Sequence, residues 1–81
     1  MNQIKWHLIT EMPEETAEIV LYDGRDDDNA FYIGTFLKRY DSVIINGIQE
    51  GKFWNWEDIS FICQAWCYTE DLIPPKELWI V

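Results

Sequence analysis

Two thiols and one imidazole are the groups in this 81-residue chain best suited to act as nucleophile and base: Cys63, Cys67 and His7. Nucleophilic catalysis needs a base beside the group it activates. His7 is the single histidine and is flanked by Trp6 and Leu8. A dyad of His7 with Cys63 or Cys67 is conceivable in space, but a lone histidine between apolar neighbours reads as structural, so no catalytic residue is assigned and the chain is read as non-enzymatic. The two cysteines lie four apart: about 13 Å on a strand, too far for a disulfide, and near 6 Å on a helix, where such bridges rarely form. They are expected as reduced core thiols. Zinc would need two further ligands, and His7 with one carboxylate is a poor source of them, so neither metal nor cofactor is expected.

The oxygen-rich tract Asp23, Asp26, Asp27, Asp28 and Asn29 has ligand types suited to Ca²⁺ or Mg²⁺. Arg25 interrupts it, Gly24 is misplaced and no Glu closes it at the calcium-loop spacing, so it reads as a solvated turn. Gly24, Gly34, Gly47 and Gly51 are scattered and form no phosphate cradle. Paired carboxylates are uninformative in a chain with 15 acidic residues. The remaining chemistry is aromatic. In FWNWEDISFICQAWCY, alternation on a strand would put Trp54 and Trp56 on one side, about 6–7 Å apart, as a shelf for a sugar, a proline-rich peptide or an unpaired base. The bland alternative is that a thin one-sheet domain uses wide side chains to cover itself, with Trp6, Trp66 and Trp79 closing the chain ends over it.

Charge narrows the partners. Fifteen acidic against six basic residues give a net charge of −9, and Lys38-Arg39 is the only basic pair. Direct binding to nucleic acid or an anionic membrane is thereby disfavoured, because both require clustered Lys and Arg. Acidity by itself most often means solubility; the minority reading is a basic protein partner, or mimicry of nucleic acid toward one, with Asp26, Asp27 and Asp28 as candidate contacts beside Trp54 and Trp56. The opening MNQIKWHLIT lacks the pattern of a signal peptide and no apolar run reaches membrane-spanning length, so the cytoplasm is the expected compartment.

The elements that must position these residues follow from periodicity. EIVLYD, from Glu18, is a β-branched run closed by Gly24 and predicts a strand, with DGRDDDN as its connection. Residues 30–40 alternate, with Phe31, Ile33, Thr35 and Leu37 on one face and Tyr32, Gly34, Phe36 and Tyr40 on the other. SVIINGI ends in the turn dipeptide Asn46-Gly47, and FWNW resumes extended structure. For residues 59–69 two periods compete. Aromatic and β-branched content favours a strand, whereas Glu57-Asp58 ahead of Ile59, Ile62, Cys63 and Trp66 suits a helix start. Pro74-Pro75 interrupts any ladder before Leu78, Trp79, Ile80 and Val81, an apolar tail that must dock or find a partner. The expected fold is one mainly β domain over residues 1–81: an antiparallel meander of four or five strands with at most one short helix.

The spacing of Trp6, Met12-Pro13-Glu14-Glu15, the strand Ile19-Val20-Leu21-Tyr22, the strand Phe31-Tyr32-Ile33-Gly34 and Ala65-Trp66 before Leu72-Ile73-Pro74-Pro75 resembles a family of small phage- and prophage-encoded domains of unknown function, numbered 551. Two departures stand out. Gln64-Ala65 replaces the family's Thr-His before Trp66, and the stretch that follows is longer, so no histidine role transfers to that place. The resemblance implies a small β-rich accessory domain of a mobile element and no established activity. The expected function is a non-enzymatic module that engages a protein partner through an acidic face or an exposed aromatic patch. The alternatives are a homo-oligomer joined through Leu78–Val81 or a sheet edge, and a nucleic-acid mimic that blocks a basic host protein.

Overall fold

The computed structural model describes residues 4–25, 29–48 and 51–72. Six strands form one antiparallel sheet: β1 (His7–Leu8), β2 (Ala17–Asp23), β3 (Ala30–Leu37), β4 (Ser42–Ile45), β5 (Trp54–Asn55) and β6 (Ala65–Tyr68). One helix, α1 (Trp56–Ile62), precedes β6. The spatial order is β1-β6-β2-β3-β4-β5. Strands β2 to β5 are a meander as expected, and β6 returns to lie between β1 and β2.

The central hairpin sets the register. All seven residues of β2 pair with β3, from Ala17 opposite Phe36 to Asp23 opposite Ala30. Because successive side chains alternate across a strand, this register puts Ile19 and Leu21 on one face with Phe36, joined by Val43 and Ile45 of β4 and Trp66 of β6. All six are buried. The expected alternation of residues 30–37 holds, and the strand stops at Leu37, where Lys38–Tyr40 form a 3₁₀ turn that includes Tyr40. Asp41 then takes a left-handed conformation, φ 47°, and its carbonyl accepts from the Trp56 N–H at 2.9 Å. The Asn46-Gly47 turn is present, with Gly47 at φ 79°.

α1 covers the buried face. It places Trp56 and Ile59 over the sheet, and the Trp56 ring meets Phe36 and Trp66 edge-on at 5.5 and 6.2 Å. The stretch from Ile9 to Pro13 covers the remainder, held by two indole donors: Trp56 Nε1 to the Ile9 carbonyl at 2.9 Å and Trp66 Nε1 to the Glu11 carbonyl at 2.6 Å. Residues 59–69, expected as a strand, are thus divided between helix and strand. The division falls at Cys63 and Gln64, where the Cys63 N–H closes the helix on Ile59 and the Gln64 N–H already bonds the Tyr22 carbonyl of β2.

Candidate interaction face

The other face of the sheet is exposed in part. Pairing fixes its composition: Leu8 stands opposite Ala65, Ala65 opposite Tyr22 and Tyr22 opposite Phe31, which makes one continuous row across β1, β6, β2 and β3. A second row runs from Cys67 through Val20 to Ile33, in which Cys67 and Val20 are buried and Ile33 is exposed. Leu8 is 66% exposed, Phe31 58% and Ile33 48%. Trp6 caps the first row, with its ring 6.3 Å from both Tyr22 and Phe31, while Tyr22 and Phe31 lie 5.2 Å apart. Trp6, Tyr22, Phe31 and Ala65 enclose an apolar hollow of about 320 Å³. Tyr22 is oriented by its hydroxyl, which donates to the Asn29 side-chain oxygen at 2.8 Å. The sequence placed Phe31 and Ile33 on one face, but that this face is the partly exposed one became legible only with α1 assigned to the opposite side.

The aromatic shelf expected of Trp54 and Trp56 is not formed. β5 ends at Asn55, which caps α1 through its side-chain oxygen to the Asp58 N–H at 2.8 Å, so Trp56 opens the helix and is 8% exposed in the core. Trp54 is half-buried on the covered side, with the Lys52 ammonium 4.0 Å above its ring. Its Nε1 is buried without a hydrogen-bond partner. Trp6 and Trp66, expected to close the chain ends together, sit on opposite faces of the sheet. Asp26, Asp27 and Asp28 lie outside the described residues, as does the tail of residues 78–81.

The carboxylates that the structure does bring together are others. A cavity of about 590 Å³ lined by His7, Glu11, Glu14, Trp66 and Tyr68 among others adjoins one of about 490 Å³ lined by Glu14, Glu15, Glu18, Tyr68 and Glu70 among others. They share Glu14 and Tyr68. His7 stacks on Trp66 at 4.3 Å and faces the Glu11 carboxylate at 3.5 Å.

The thiols are poorly placed for nucleophilic chemistry. His7 pairs with Trp66 and shares its face, whereas the next residue, Cys67, projects from the other side of the sheet. Cys63 and Cys67 are free and buried. Burial, reinforced by the Asp23 carboxylate, pushes the Cys63 thiol up to about 11, and burial with Asp71 raises Cys67. Among the described residues no group of three or more His, Cys, Asp or Glu side chains could hold a metal ion, and no helix is long and apolar enough to cross a membrane.

These features define a small antiparallel sheet protein with one face closed by a helix and, on the other, an exposed apolar patch of Trp6, Leu8, Phe31 and Ile33. Comparison with protein-family models, curated proteins and solved structures yields no match.

Proposed function

We propose that the chain is a non-catalytic interaction module that binds a protein partner through the exposed apolar patch of Trp6, Leu8, Phe31 and Ile33, in the manner of a small cytoplasmic accessory domain of a mobile element. One observation carries this reading: the row Leu8, Ala65, Tyr22 and Phe31, capped by Trp6, leaves large apolar side chains in water on a rigid scaffold. Exposed side chains scattered singly need no explanation, but a contiguous apolar patch on a sheet does. Aromatic residues of this kind bring large contact area with few rotatable bonds, which is the character of binding hot spots.

The test is capture from host-cell lysate by the immobilised chain and by its Leu8→Asp variant, in low and in high salt. The reading expects a protein retained at both salt concentrations by the parent and lost by the variant. Equal capture by both would remove the exposed patch from the interaction.

The carboxylates Glu11, Glu14, Glu15, Glu18 and Glu70 around two adjoining cavities favour a second reading, a basic partner held electrostatically, with nucleic-acid mimicry as its sharper form. Such a partner is released by salt and is lost on Glu14→Lys, and it is indifferent to Leu8→Asp.

A further inference from the structure

We infer that the cavity between α1 and the turn after β4 is a binding site for a small uncharged organic molecule, ring-sized and carrying one hydrogen-bond acceptor. A cavity and an orphan donor meet there, and the site is separate from the partner surfaces considered above.

The cavity follows from the length of α1. Seven helical residues span about 10 Å, whereas the eight of β3 extend about 26 Å, so the helix cannot cover the whole of the sheet face on which it packs. Trp56 fills the part over Phe36 and Trp66. Elsewhere a cavity of about 110 Å³ remains, walled by Ile59 and Ile62 of α1 and by Tyr32, Ile45, Ile48 and Trp54 of the sheet and its turn. An apolar cavity of about 150 Å³ admits benzene, so this one suits a molecule of about five to seven heavy atoms. Tyr32, Ile48, Trp54 and Ile62 are only partly buried, which gives such a molecule a way in.

The donor is the Trp54 indole. Its Nε1 is buried and bonds to nothing, whereas the two core indoles, Trp56 and Trp66, each donate to a backbone carbonyl. A buried N–H left unpaired is destabilising, and native structures pair nearly all of them. Trp54 is held in the cavity wall by the Lys52 ammonium, 4.0 Å above its ring. The void that its ring borders is where an acceptor can reach Nε1.

Water is a poor occupant. A buried water makes about three hydrogen bonds, and this wall is almost wholly apolar: beyond the indole it offers four isoleucines, the Tyr32 ring and the Cys63 thiol, a weak donor. A charged ligand is excluded on the same ground. An uncharged ring with one carbonyl oxygen satisfies the indole and buries its remaining surface against the isoleucines.

The experiment is titration of the full chain with cyclohexanone, followed by NMR on the indole N–H signals of its five tryptophans. Benzene, which has no carbonyl, is the comparison, and the Trp54 signal is the one missing from Trp54→Phe. The expected result is that this signal moves downfield and saturates with a Kd of about 1–10 mM while the other indole signals stay in place. Benzene should bind about tenfold more weakly to the parent, and that preference should vanish in Trp54→Phe. If Trp54→Phe fails to fold, the signal is assigned from its contacts with the Ile59 and Ile62 methyl groups, and Ile62→Phe, which narrows the cavity, should weaken binding of both probes. A Trp54 signal that cyclohexanone leaves unmoved, or that moves no more than the other indoles, overturns the inference. So does benzene binding as tightly as cyclohexanone, because the indole N–H would then select nothing.

Discussion

At Cys63 burial and a neighbouring carboxylate act in the same direction. The thiol lies at the end of α1 within the apolar cluster, and the Asp23 carboxylate adds to the disfavour of a thiolate. A thiol whose folded-state pKa stands above its unfolded value contributes stability that is complete below the unfolded pKa and is lost as pH rises through the folded one. For Cys63 that window runs from about 9 to about 11. Urea midpoints are therefore expected to hold from neutral pH to about 8.5 and then fall as this thiol ionises. Cys63→Ala should make the alkaline fall shallower. In the parent at neutral pH both cysteines should react with a thiol reagent at least ~10²-fold more slowly than in urea. Fast labelling of either would reopen the nucleophile reading. Asp23 works with the opposite sign. Arg25 bonds it through the backbone N–H, Nε and Nη2, each at 3.1 Å, and holds its carboxyl below the ordinary range. Its contribution is present at neutral pH and is lost as the solution is acidified below that range, and Asp23→Asn should remove it.

α1 is an element that could not stand alone. Seven residues are too few for a stable helix in water, so α1 depends on its cap, on Glu57 and Asp58 in its first turn and on the burial of Trp56 and Ile59. Asn55→Ala removes the cap and should cost about 1 kcal/mol by urea unfolding, while Asn55→Asp should cost little. β3 and β4 make a second such point at Gly34. A Cβ there would lie 2.7 Å from the Ile44 carbonyl oxygen and 2.8 Å from Val43 Cγ1. Gly34→Ala must push the strands apart, and a loss of about 1–3 kcal/mol is expected. These two places also show what the sequence could convey. The strand β2 and the faces of β3 were legible because composition and alternation are local signals and their pairing needs only a hairpin. Trp56 was misplaced because the alternation of FWNW was extended one residue too far. The signal against it was present in Asn55 followed by Glu57-Asp58, a cap with acidic residues in the first turn. The insertion of β6 between β1 and β2 had no local signal at all, since it joins segments more than forty residues apart. Phe31 and Ile33 could be put on one face from the sequence, but which side α1 covers depends on that insertion.

On the scale of the whole molecule, two surfaces among the described residues offer different kinds of contact. The carboxylates of Glu11, Glu14, Glu15, Glu18 and Glu70 line two adjoining cavities, while Trp6, Leu8, Phe31 and Ile33 are exposed and apolar. Partners held by the one and by the other must therefore respond to salt differently. The Debye length falls from about 10 Å at 0.1 M salt to about 3 Å at 1 M. Screening weakens the attraction between an acidic groove and a basic partner. Contacts between apolar surfaces do not depend on that attraction. A partner held through Leu8 and Phe31 is accordingly expected to stay bound between about 0.1 M and about 1 M NaCl, read as the amount retained by the immobilised chain at each salt concentration. A partner released as salt is raised would mean that charged groups hold it, and its contact would then have to be sought among the groove carboxylates.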